Sequence, residues 1–316
     1  MPELDSLRRL YPDAVPPSDE VRAHARARVS RTLESPPRRR GWFVAASGLA
    51  IAATAAALLV GIGFNDGGDA SAATRVLRHA AAVARRQAPL GKLGPGQYLY
   101  VKSVNAYLNT IAPADTPYFS VLVPHVREVW LGTADGKLRE SEGAPTFLTH
   151  RDRARWIAAG RPPLTDGHPS ETNLSPMRPL DLPADPDALY ARLRHDATGH
   201  GDGLYEEMFT LVGDSLRETN ASPAQRAALY EVAARIPGVE LVGRVHDPTG
   251  RPGIAVAMRD EADGVRETLV FDPRTAELLA EESVALASNS FGYPTGAVVG
   301  HATYVTRAIV DGFTRP

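Results

Sequence analysis

Hydrophobic and polar positions change texture three times along the chain. Val21, Ala25, Val29 and Leu33 recur at i+4 spacing, with Ser18 as a fair N-cap, Asp19 and Glu20 in the first turn and Pro36-Pro37 as a stop, which predicts one short amphipathic helix. Ahead of it, Pro12, Pro16 and Pro17 break any earlier helix. From Trp42 to Phe64 the pattern vanishes, because 23 residues run without a formal charge. At about 1.5 Å per residue such a run spans the roughly 30 Å hydrocarbon layer of a bilayer, and a buried core helix of that length would usually show a polar face. The run predicts a transmembrane helix over 41–64. "NDGGDASAA" then reads as a flexible linker, and Val76, Leu77, Ala80, Val83 and Ala84 as a helical stripe ending near Pro89.

Beyond that stripe, 97–108 ("QYLYVKSVNAYL") and 121–131 ("VLVPHVREVWL") are rich in Tyr, Val and Leu and read as strands, with a shorter one after the Gly132–Gly136 turn. Seven prolines between Arg161 and Pro186 predict a surface loop or lid, taken to occupy about 150–185. Three helices follow. The first has Asp185 as cap and Pro186 at its first position, the second places Leu204, Met208, Leu211 and Ser215 on one side, and the third is capped by Ser222 and stopped by Pro237-Gly238. In the last eighty residues the turns at Asp247–Gly250, Asp260–Gly264 and Asp272–Thr275 separate four strand-like runs, a β-meander. Val239, Leu241 and Val245 are expected on one face of the first run, and Ile254, Val256 and Met258 on one face of the second. A final strand around His301–Val310 closes the sheet. The order of elements predicts an α+β domain: an extended, half-barrel-like antiparallel sheet with helices on one face.

Charge decides the orientation of the apolar span. Its inner flank carries Arg28, Arg31, Arg38, Arg39 and Arg40, its outer flank only Arg75 and Arg78 after Asp66 and Asp69. The reading is therefore a cytoplasmic arm (1–40), a membrane helix (41–64), a linker (65–71) and an extracytoplasmic domain (72–316). A removed export signal is the competing reading, since Ala70-Ser71-Ala72 has the small-x-small form of a cleavage site, and Arg39-Arg40 before Gly41-Trp42-Phe43 resembles a twin-arginine signal. The length of the span and the 41 residues before it favour the anchor. No cysteine is present, which excludes disulfides, thiolate zinc sites, a thiol nucleophile and a lipid-bearing cysteine. A net charge of -2 argues against a surface for nucleic acid.

Candidate chemistry is sparse. "GDSL" at 213–216 is the signature of a family of serine esterases, but that chemistry needs a later Asp-x-x-His pair, and neither His246 nor His301 has an Asp three residues before it. The four letters also fit one helix. His195, His200 and Asp202 sit at a helix end, where i and i+5 positions diverge by roughly 140° and match no metal template. Glu206-Glu207 and Glu281-Glu282 read as solvated faces, and "LGPGQ" at 93–97 as a turn rather than a phosphate loop. Tyr98, Tyr100, Tyr107, Tyr118 and Trp130 read as core and cross-strand aromatics. No catalytic, cofactor or metal residue is assigned.

Seven segments, "LRRLYPDAVPPSDEVRAHARARV", the apolar span, "LGPGQYLYVKS", "REVWLG", "LPADPDALYARLR", "IPGVELVGRVHDPTGRPGIAVAM" and "LVFDPRTAELL", together resemble an actinobacterial family of single-pass membrane proteins often encoded beside extracytoplasmic-function sigma factors. The resemblance implies one membrane pass, an external domain and sigma-factor control, and it supplies no site residues. The arm departs from well-understood anti-sigma factors, which have several helices there or bind zinc through His and Cys. At fold level, a concave sheet with a helical plug resembles lipoprotein carriers and periplasmic stress-signalling regulators. Two functions stay open: a non-enzymatic membrane-anchored sensor whose 18–33 helix contacts a sigma factor or other cytoplasmic protein, and an anchored carrier for a lipid or peptide.

Overall fold

The computed structural model describes residues 70–316 apart from 90, 113–116, 179, 202, 218, 290 and 291. The expected arm, membrane span and most of the linker lie outside the described residues. Among the described residues no helix is long and apolar enough to cross a membrane.

The architecture is α+β, built on one antiparallel sheet of nine strands. In chain order come α1 (Ala70–Arg86), β1 (Gln97–Ile111), β2 (Phe119–Gly132), β3 (Gly136–Glu142), α2 (His150–Ala158), β4 (Ser170–Leu174), α3 (Pro186–Ala197), α4 (Leu204–Leu216), α5 (Pro223–Ala233), β5 (Glu240–His246), β6 (Pro252–Asp260), β7 (Val265–Phe271), β8 (Leu278–Ala285) and β9 (Val298–Asp311). The sheet runs β4-β3-β2-β1-β9-β8-β7-β6-β5, so β9 joins two groups of strands that are far apart in sequence.

Local chemistry sets the helix starts. Asp185 accepts hydrogen bonds from the amides of Asp187 and Ala188 with Pro186 in the first turn, and Ser222 forms a reciprocal capping box with Gln225. The Gln225 amide also donates to the carbonyls of Leu180 and Leu182, at 2.8 Å each, tying the preceding loop to α5. α1 includes Ala70-Ser71-Ala72; Ala73, Leu77, Ala80, Ala81 and Ala84 are buried, and α1 packs against α5.

The main core lies between these helices and one face of β6, β7 and β8. Leu77, Leu189, Leu193, Met208, Phe209, Val212 and Leu229 meet Val256, Met258, Leu269, Phe271 and Leu278 there. The buried side of α4 is rotated from the expected one: Met208, Phe209, Val212 and Leu216 are buried, while Leu204, Leu211 and Ser215 are partly exposed. Gly213 explains the shift, because α4 approaches β7 there closely enough that a Cβ would stand 3.2 Å from Leu269. Ile254, Val256 and Met258 share the helix-covered face as expected. Val245 does not share a face with Val239 and Leu241. A bulge at Val242-Gly243, with Gly243 at φ 120°, adds one residue and turns Val245 to the opposite face, where it packs with Ala255, Val270 and Ala280.

The proline-rich stretch contains two elements that were not expected. α2 ends before the first proline and is capped by Thr149, which accepts from the Asp152 amide while the buried Asp152 carboxylate accepts from the Ser120 amide. β4 follows between Pro169 and Pro176 and pairs with β3, its Glu171 lying 3.2 Å from the Lys137 ammonium.

On β1 and β2, Tyr98, Tyr100 and Trp130 form a buried cluster with Val310. The segment after β9 closes it. Phe313 lies tilted against Tyr98 with ring centres 4.5 Å apart and meets Trp130 edge-on, the Trp130 indole donates to the Thr314 carbonyl at 2.6 Å, and the Arg315 guanidinium grips the buried Glu128 carboxylate, which also accepts from the Tyr100 hydroxyl.

Candidate functional site

A cavity of about 320 Å³ opens between the α4–α5 connection and the β8–β9 half of the sheet. Four guanidinium groups line it: Arg217 just past α4, Arg226 in α5, Arg251 just before β6 and Arg307 in β9. Leu216, Leu278 and Val305 give it an apolar wall.

A bulge makes this convergence. Ser103 pairs with Tyr304 and Lys102 with Thr306, leaving Val305 as the extra residue of β9. Tyr304 and Arg307 are three positions apart, which regular alternation would place on opposite faces. With the bulge, Tyr304 pairs with Ser103 and Arg307 with Val101, so both stand on the helix-covered face.

Two of the arginines are matched by carboxylates. The Arg217 Nε donates to Glu281 at 2.8 Å, its Nη2 lies 2.6 Å from the same carboxylate and its Nη1 2.8 Å from Asp214. The Tyr304 hydroxyl donates to Glu281 at 2.9 Å. Arg251 donates to the buried Asp247 from Nε at 2.6 Å and to the Tyr304 carbonyl from Nη2 at 2.7 Å. Arg226 and Arg307 are less well served. The Arg226 Nη1 stands 3.8 Å from the half-exposed Glu277, and its enclosed Nε has no hydrogen-bond partner among the described residues. Arg307 donates to the Thr219 carbonyl. Burial pushes the Arg307 guanidinium below its ordinary value, with Glu277 opposing the fall and the Arg226 cation adding to it.

Beside the cavity, the Glu267 carboxyl is pushed up to about 7, chiefly by burial, although it accepts from the Ser283 hydroxyl at 2.7 Å. Glu281 and Glu282 are not a solvated pair. Glu281 lies across from Leu269 on the helix-covered face and is buried in its ion pair, whereas Glu282 lies across from Thr268 on the other face and burial pushes it up to about 7.

The other motifs stay apart from this site. Ser215 of "GDSL" is inside α4 and its hydroxyl donates to the Leu211 carbonyl at 2.7 Å. His195 is in the last turn of α3, His200 is in the loop beyond it, and Asp202 is not among the described residues. Glu206 and Glu207 occupy the first turn of α4, and Gly94 to Gln97 form the turn into β1. Tyr98, Tyr100 and Trp130 are buried cross-strand aromatics as expected, but Tyr107 and Tyr118 are about half exposed. Among the described residues no group of three His, Cys, Asp or Glu is placed to hold a metal ion. The arginines had no signal in a linear reading, because they are scattered between residues 217 and 307.

No family model matches the chain, and no curated protein matches it. Among solved structures, the chain is similar to one in the Pseudomonas aeruginosa MucA/MucB complex at 12% identity and a TM-score of 0.29, over 77% of this chain. It spans 59% of the length of that one. A dehydratase domain from the CurK module of curacin polyketide synthase matches at 12% identity and a TM-score of 0.12, over 73% of this chain and 80% of the other. Likeness of this extent assigns neither family nor function.

Proposed function

We propose that the chain is a non-enzymatic, single-pass membrane protein whose domain over 72–316 binds a ligand outside the membrane and whose arm, through the 18–33 helix, regulates a sigma factor. The observation that carries the binding role is the arginine-lined cavity. Guanidinium groups are always charged and act as donors, so this lining is suited to holding an anion rather than to exchanging protons or attacking a bond. The membrane pass rests on the uncharged 42–64 run and the orientation on the arginines before it. The sigma-factor role rests on the resemblance over the seven segments.

The test is deletion of residues 1–40 in cells, read with a reporter of extracytoplasmic-function sigma activity and with capture of the sigma factor by the arm. Altered reporter output together with capture supports the regulator. Unchanged output with no capture overturns it and leaves the anchored carrier.

A further inference from the structure

We propose that the groove over β1 and β2 recognises an aromatic-x-Arg segment of a partner protein, and that Phe313 to Arg315 occupy it in cis. The site lies on the face of the sheet opposite the arginine-lined cavity and is independent of it. Its floor is a ladder of three rows across β1 and β2: Tyr98 with Gly132, Tyr100 with Trp130, and Lys102 with Glu128. Gly132 leaves room for the Tyr98 ring, since a Cβ there would stand 2.6 Å from it. Successive rows on one face of a strand are two residues, or about 7 Å, apart. Two residues of extended peptide cover the same distance, so an aromatic side chain over the first rows places an arginine two positions on over Glu128. Phe313 and Arg315 have that spacing.

Each contact that holds the tail is one that a peptide in trans can make. Phe313 meets Tyr98 at 4.5 Å and Trp130 at 6.3 Å between ring centres, the Trp130 indole reads a backbone carbonyl, and the Arg315 Nε and Nη2 donate to the two Glu128 oxygens at 2.6 and 2.5 Å. The floor is buried, with Tyr100 2%, Trp130 3% and Glu128 5% exposed, whereas Phe313 is 40% exposed and the Arg315 side chain 57%. Backbone pairing of the tail to β1 ends at the Gly312 amide, which donates to the Gly96 carbonyl. A segment held this lightly opens locally at a small fraction of the cost of global unfolding. Once it opens, Glu128 lacks its guanidinium fork. Lys102 and Arg139 lie across from it on the neighbouring strands but form no hydrogen bond with it among the described residues. An arginine from another chain restores the pair. The tail also underfills the groove: a hollow of about 270 Å³ remains beside Phe313 and Arg315, bounded by Trp130, Lys137, Arg139 and Glu171. That is room for a larger aromatic side chain than Phe313 supplies.

The probe is the fluorescently labelled, amidated peptide Gly-Phe-Thr-Arg-Pro, read by anisotropy against the full chain in maltoside micelles and against the chain lacking residues 313–316. In the parent the tail competes at an effective concentration of about millimolar, so removing it should tighten peptide binding by about tenfold or more. Glutamine in place of the peptide's arginine should weaken binding to the shortened chain about tenfold, the weight of one charge-assisted hydrogen bond, and Glu128→Gln should erase the difference between the two peptides. Where the shortened chain fails to fold, amide exchange in the parent decides: peptide in excess should speed exchange at Gly312 and leave Val101 and Val129, inside the β1–β2 ladder, unchanged. Equal binding to parent and shortened chain, no binding to a folded shortened chain, indifference to the arginine or to Glu128, or Gly312 exchange that ignores the peptide each overturns the proposal. A parent dimer that is lost on shortening overturns it too, by placing the tail of a second copy in the groove. None of these outcomes bears on the arm's effect on transcription, so the two readings fail separately.

Discussion

From β8 to β6 the sheet is covered by α1, α3, α4 and α5 through a largely aliphatic core. On β1 and β2 the buried cluster of Tyr98, Tyr100 and Trp130 is closed by Phe313 and Arg315, and a buried carboxylate, Glu128, sits at its edge. The first region gains chiefly from area, which is non-directional and tolerant of small shifts. The second depends on paired donors and acceptors, and a loss on either side strands a buried charge. One sheet thus contains two kinds of cohesion, and they should fail differently.

Leu229→Ala strikes the aliphatic side and should cost about 3 kcal/mol in urea unfolding, the usual range for a fully enclosed leucine. A loss below about 1 kcal/mol would mean that the helices contribute little to the sheet's stability. Arg315→Ala strikes the other side and should cost about 2 kcal/mol at pH 7, by leaving Glu128 without its cationic partner. Burial by itself would raise the Glu128 carboxyl, but the bonds from Arg315 and Tyr100 outweigh it and hold the group below its ordinary value. Its contribution is therefore present above the unfolded value and is lost as pH falls through the folded one. Unfolding curves of parent and variant should converge in acid, and a gap that persists there would remove Glu128 from the account.

Glu267→Gln should have an effect of the opposite sign. Its folded value of about 7 lies above the ordinary 4.5, so the folded state holds a proton that the unfolded state releases. Stability contributed by this group is complete below about 4.5 and declines as pH rises toward 7. The variant should be more stable than the parent at pH 8 and no different at pH 4.5. Melting temperatures across that interval decide it, and a variant that is destabilised at pH 8 would show that the carboxylate is needed ionised.

Features set by neighbours in sequence were legible. Asp185-Pro186, the Ser222 cap and the Asp-led turns of the meander fall where expected, because each is settled within about four residues. Features set across the sheet were not. "SETNL" has no strand pattern and becomes β4 only because β3 offers it an edge. The bulges at Val242-Gly243 and at Val305 reverse the alternation on which face assignments rest, and the second of them gathers the cavity's strand residues. Glu281 and Arg217 are 64 residues apart, beyond any local pattern.

β9 stands at the middle of the nine strands, between β1 and β8. A chain that emerges N-terminus first completes β1–β4 and then β5–β8 as separate sheets, each ending in a long unpaired edge, and cannot join them until residues 298–311 are free. During that interval both edges compete for partners on other chains. Assembly should therefore be slow, dependent on chaperones, and acutely sensitive to premature termination before Val298.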